Sequence, residues 1–314
     1  MYRGATLMDN QTGKTNMNRR TFLLTSTTAS FLRGAAQQEP PSARIGISTW
    51  SFHNFFSTTR DDNAPPLTGK PWDVLDYPEM IADHYHVHEM EIVAPHFAST
   101  EPLYVAEVKA RLGRAHSHLV NIPVDIPELE MGAGLSDPDT KLTAKMITAC
   151  EKWIDVAHAL GAKSVRCDPG KINTADLKPT VASYKALAAY GASKGIFVVI
   201  ENHGGVGSEH PQELVDLFKA VGKNCGALPD FGNFPDETTR QNGLKLLFPY
   251  AHAVCHAKGL KFDAKGNETV FDFGRCVQTS KEAGFKGVYS IEFEGEGEPH
   301  TGVQNVINEL RRFL

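Results

Sequence analysis

The 314-residue sequence is 41% hydrophobic, 22% charged and 9% aromatic, which suits a soluble globular protein with one large domain or two small ones. Its 32 Lys and Arg against 37 Asp and Glu give a formal net charge of −5, with no basic stripe beyond the N-terminal segment, which argues against duplex nucleic acid as a partner. Five cysteines without a C-x-x-C pair suggest neither a thiolate zinc site nor a disulfide framework and are expected as small buried hydrophobes.

The first element in chain order is a signal-like segment. Asn18-Arg-Arg-Thr-Phe-Leu-Leu24, a short apolar run to Leu32 and the small residues Gly34-Ala-Ala36 resemble a twin-arginine export signal. The apolar run is too short to span a bilayer. The resemblance implies a signal at residues 1–36, a linker at 37–42, a catalytic domain at 43–314, contact with the export machinery and an exported, periplasmic location.

From residue 43 onward, short β-branched or apolar runs alternate with amphipathic segments. Strands are expected at residues 44–49, 89–94, 118–124, 164–167, 197–201, 226–229, 253–256 and 287–292, with helices at 141–160, 178–193, 212–221, 240–248 and 303–313 among those between them. Parallel strands covered on both faces read as continuous apolar runs, as in Ile196-Phe-Val-Val-Ile200. Eight such units fit an α/β (β/α)8 TIM barrel of typically ~250 residues. An open doubly wound sheet is the runner-up, but Ile45-Gly-Ile-Ser-Thr-Trp50 leads into no Gly-rich phosphate turn.

Barrel enzymes keep their chemistry at the C-terminal ends of strands. The last four expected strands end in Glu201, Asp230, His256 and Glu292. Three carboxylates converging on one barrel mouth repel one another unless a cation sits among them. One imidazole and three carboxylates suit Mn2+, Mg2+, Co2+ or Zn2+ and leave room for two vicinal substrate oxygens.

The series Ile200-Glu-Asn-His, Pro229-Asp-Phe-Gly-Asn, Cys255-His-Ala-Lys and Ser290-Ile-Glu resembles the sugar phosphate isomerase/epimerase family of xylose isomerase-like barrels. Ketose 3-epimerases, inosose dehydratases and endonuclease IV share that scaffold. The resemblance implies that Glu201, Asp230, His256 and Glu292 are metal ligands, and that Glu201 and Glu292 form an acid/base pair on opposite faces of a substrate. Such a pair can remove and return a proton next to a carbonyl through an enediolate. Two positions depart from the relatives. Asn233 stands where the epimerases and endonuclease IV carry a His, and Ala257-Lys258-Gly259 follows the seventh-strand His where endonuclease IV continues with an Asp-x-His ligand pair.

Other polar residues near strand ends are candidate substrate contacts: Trp50, Glu91, His96, Arg166, His203, Asn233 and Lys258. Glu294 is a neighbour of the site, and Glu296 and Glu298 are expected as solvated loop charges. The expected function is a metal-dependent sugar isomerase or epimerase acting on a small sugar or keto-sugar. The alternatives are a lyase or dehydratase, such as one performing β-elimination from a 3-keto-glycoside, then an endonuclease IV-like hydrolase or a non-catalytic sugar-binding barrel. The sequence leaves room for a homo-oligomer.

Overall fold

Eight parallel strands form one sheet in the computed structural model, which describes residues 41–314. The expected export signal lies outside the described residues. The strands are β1 (Ile45–Ser48), β2 (Glu89–Glu91), β3 (His118–Val124), β4 (Ser164–Cys167), β5 (Phe197–Glu201), β6 (Cys225–Leu228), β7 (Val254–Gly259) and β8 (Val288–Phe293). Their order is β6-β5-β4-β3-β2-β1-β8-β7. The sheet curls until its outer strands meet, because isolated parallel bridges join Ala227 to Ala251 and Asp230 to His256. At this seam Phe231 N donates to His256 O at 3.1 Å and His256 N donates to Pro229 O at 2.9 Å. Two of the expected metal ligands therefore sit on the seam that closes the barrel.

The α-helices are α1 (Tyr77–Tyr85), α2 (Pro102–Arg114), α3 (Thr140–Leu160), α4 (Lys178–Lys194), α5 (Gly205–Glu209), α6 (Pro211–Val221), α7 (Glu237–Leu247), α8 (Phe273–Glu282) and α9 (Pro299–Phe313). Asp side chains cap several of them; Asp236, for instance, accepts from Thr239 N and anchors α7. Gly161 and Gly195, at φ 80° and 72°, end α3 and α4 in the left-handed conformation that glycine adopts without penalty.

The core has two parts. A large cluster lies between strands and helices, with side chains such as Ile47, Ile200, Ile291 and Tyr289 facing outward onto the helix layer. A smaller cluster of Val120, Val199, Leu228, Ala253, Val254 and Val288, with Phe197 against it, fills the interior. Val199, Leu228 and Val254 each precede an expected ligand by two residues, so they share its face of the strand. The apolar plug thus forms the floor on which the polar site rests.

Two strands differ from expectation by more than one residue at an end. β2 stops at Glu91, short of residue 94, because Pro95 opens a 3-10 turn at Ala94–His96. Its pairing with β3 also shifts between Met90 and Glu91, so Glu91 lies opposite Asn121. β7 runs on to Gly259, past residue 256, because its pairing with β8 continues through Lys258 and Glu292.

Candidate metal centre

Glu201 ends β5, Asp230 follows β6, and His256 and Glu292 lie within β7 and β8. All four are buried, and one ligand atom from each lies within 4.8 Å of the others. His256 Nδ1 is the focus. It lies 3.0 Å from Glu201 Oε1, 3.2 Å from Glu292 Oε2 and 3.5 Å from Asp230 Oδ2. A ring nitrogen carries at most one proton and cannot satisfy three carboxylates.

The opposite ring nitrogen is separately engaged. His256 Nε2 lies 3.0 and 3.2 Å from the two oxygens of Glu91, which also accepts from Asn121 Nδ2 at 2.8 Å. Asn121 Oδ1 in turn accepts from Ser164 Oγ at 2.7 Å. Glu91 therefore fixes the imidazole so that Nδ1 faces the carboxylates, the carboxylate–histidine arrangement found behind metal ligands. The register shift in β2 is what sets Glu91 beside Asn121.

The backbone holds Asp230 in place. Asn202 Oδ1 accepts from Asp230 N at 2.7 Å, and Asn202 Nδ2 donates to Asp230 O at 3.2 Å. Asp230 Oδ1 accepts from Gly232 N at 2.6 Å and Asn233 N at 2.8 Å. That leaves Oδ2 turned inward. Asp230 Oδ2 and Glu201 Oε2 are buried oxygens without an aligned hydrogen-bond donor. Arg166 Nε lies 3.0 Å from Glu201 Oε2, close enough for an ion pair but outside hydrogen-bond geometry. Buried anionic oxygens left in this way, beside an imidazole nitrogen held by a carboxylate, fit a divalent cation.

The charges shift one another strongly. Burial alone would raise the Glu201 carboxyl, but His256 and Arg166 hold it well below the usual range. Burial pushes Glu292 up to about 7 against the opposing pull of His256 and Lys258. Burial would lower His256, yet Glu292, Glu91 and Glu201 raise it well above an ordinary histidine.

A cavity of about 100 Å³ reaches two of the four, Glu201 and Glu292, and is lined also by Trp50, Val93, Asp125, Arg166, His203, Lys258 and Glu294. A second cavity of about 380 Å³ shares Glu201 and His203 with it, and a third of about 640 Å³ shares Glu294. Arg166 reaches the mouth through Asp125, with Nη1 at 2.6 Å and Nη2 at 3.3 Å from the carboxylate. His203 Nδ1 lies 3.4 Å from Asp168 Oδ2, and that contact leads the causes that raise His203 to about 9. Trp50 Nε1 donates to Glu294 Oε1 at 2.6 Å, and its ring stacks on His53 at 4.9 Å.

Three expected substrate contacts lie elsewhere. Glu91 is wholly buried behind His256. His96 is stacked on Phe56 at 3.8 Å and shares a 2.8 Å hydrogen bond with Thr59 Oγ1, off the cavity wall. Asn233 does not line the cavity either; its Nδ2 donates to Glu201 Oε1 at 3.0 Å. Glu298, expected as a solvated loop charge, caps α9 by accepting from His300 N and Thr301 N. The sequence reading did not anticipate the Asn202 support, although an Asn directly after a buried strand-end Glu is a side chain able to replace ladder bonds.

Residues 80–313 match the model of the xylose isomerase-like TIM barrel family. The chain belongs to this family. Several solved structures with the barrel align over nearly their whole length. One is a D-psicose 3-epimerase determined in the presence of D-fructose, at TM-score 0.64 and 14% identity, covering 86% of this chain and 97% of that one. Another is 3-keto-D-glucoside 4-epimerase from E. coli, at 0.61 and 13%, covering 86% and 99%. A third is a xylose isomerase-like TIM barrel protein from Mycobacterium smegmatis in complex with magnesium, at 0.63 and 14%, covering 86% and 96%. At such identities the likeness is one of fold. Among curated proteins, no sequence matches this member of the family.

Proposed function

We propose that this chain is a divalent-metal-dependent enzyme that moves a proton next to the carbonyl of a sugar or keto-sugar, with isomerisation or epimerisation as the outcome. One observation carries the reading: Glu201 and Glu292 flank the same imidazole nitrogen and line the same cavity. A divalent ion held by Glu201, Asp230, His256 and Glu292 would polarise the carbonyl and stabilise the negative charge of an enediolate. The magnesium in one barrel of the same fold supports such an ion.

The protein's own groups divide the remaining work. Glu201, ion-paired with Arg166, takes the proton from the carbon beside the carbonyl. Glu292 returns one from the other wall. Trp50 offers a flat apolar face to a sugar ring, and Glu294 holds that ring in place. Burial of both glutamates keeps bulk water from competing for the abstracted proton.

β-Elimination from a 3-keto-glycoside is the second reading. It begins with the same proton abstraction, and the 640 Å³ cavity beyond Glu294 leaves room for a leaving group outside the sugar ring. Product analysis separates the outcomes when metal-loaded protein is incubated with ketohexoses and 3-keto-glycosides. New stereoisomers mean epimerase or isomerase; an unsaturated ketone plus a released alcohol means lyase. Sugar binding without any conversion would leave a non-catalytic barrel, and cleavage of abasic DNA would revive the hydrolase. Export is proposed from the twin-arginine-like segment alone, and retention of an R19K/R20K variant in the cytoplasm tests it.

A further inference from the structure

We infer that Asp230, Glu292 and Glu294 form a second cation position in this site, filled by the chain's own ammonium on Lys258, which limits the site to one metal ion. This rests on the metal-centre reading above. Lys258 Nζ lies 2.7 Å from Glu292 Oε2, 3.0 Å from Glu294 Oε1 and 3.1 Å from Asp230 Oδ2. The ammonium donates hydrogen bonds to Glu292 and Glu294 and forms an ion pair with Asp230.

Two of these oxygens also face the first position. Asp230 Oδ2 and Glu292 Oε2 lie 3.5 and 3.2 Å from His256 Nδ1. They bridge two cation positions, as shared carboxylates do in sites with two metals ~3.5–4 Å apart. Glu294 belongs to the lysine position and is held there by Trp50 Nε1.

The barrel is shaped to hold the lysine. Lys258 is 2% exposed, and its stem lies across Gly232. A Cβ at position 232 would come within 2.6 Å of Lys258 Cγ and 2.9 Å of its Cβ, so only glycine leaves the stem its path. Without the ammonium, three carboxylates would face one volume, an all-oxygen set suited to Mg2+ or Mn2+ and costly to leave without a counter-charge. The consequence is chemical. Two metals ~3.5–4 Å apart clamp both the attacking and the leaving oxygen of an in-line displacement, and a lysine in the second position removes that clamp.

The test strips the protein with chelator, titrates it with Mn2+ and counts bound ions by mass spectrometry, with electron paramagnetic resonance reporting spin coupling. Wild type should bind one ion per chain. K258A should bind two and show the signal of a coupled pair, while K258M, which refills the volume without charge, should stay at one. G232A, which displaces the lysine stem, should admit a partial second equivalent, and it carries the test if K258A does not fold. A folded K258A that binds one ion, or that loses the first, overturns the inference, as does G232A at one ion when it stands alone. Wild type binding no ion would instead refute the metal-centre reading.

Discussion

Glu91 and His256 are both fully buried and lie 3.0 Å apart, from Oε1 to Nε2, on the side of the imidazole away from the cavity. Because that contact aims Nδ1 at the three carboxylates, Glu91 should govern metal affinity without touching metal or substrate. E91Q is expected to weaken metal binding ~10–100-fold, measured by titration of the chelator-stripped protein. An unchanged affinity would show that His256 is oriented by other means.

Asn202 replaces ladder hydrogen bonds where β5 and β6 end, and it is wholly buried. N202A leaves the N–H and carbonyl of Asp230 without those partners, at a cost of about 1–3 kcal/mol. Urea unfolding should show a lower midpoint with an unchanged slope. A midpoint equal to wild type would mean that the seam at Asp230 and His256 is held by its own bridges alone.

His96 gives a pH signature away from the metal ligands. Burial is the main cause that lowers it from an ordinary 6.5 to about 3. A histidine depressed in the folded state contributes stability above pH 6.5 and loses it as pH falls toward the folded value, because the unfolded chain takes up the proton first. At pH 5 the contribution lost is on the order of 2 kcal/mol. H96Q should therefore lose less stability than wild type between pH 6.5 and pH 4.5, read from denaturant midpoints at each pH. Parallel curves for the two proteins would contradict this.

Much of the barrel was legible in the sequence because parallel strands covered on both faces leave unbroken apolar runs. β3, β4 and β5 begin and end at the expected residues. The four convergent side chains were legible for the same reason, since each closes or directly follows such a run. What could not be read depends on partners distant in sequence. The lengthening of β7 comes from pairing with β8, and the shortening of β2 from a proline turn and a register shift. Glu91 looked like a cavity residue because it stands near a strand end. Its partner is 165 positions away, and no local pattern reports that. The four alternating glutamates after residue 291 resolve into one candidate ligand, Glu292, one bridge between Trp50 and Lys258, Glu294, the exposed Glu296, and one helix cap, Glu298.

The most direct test of the account is exchange of solvent deuterium into a bound keto-sugar at the carbon next to the carbonyl, followed by NMR. Metal-loaded wild type should exchange that hydrogen, chelator should abolish exchange, and added Mn2+ should restore it. E201Q and E292Q should each slow it by ~10²-fold or more. Exchange that persists after chelation, or that is unaffected in both variants, would contradict the account.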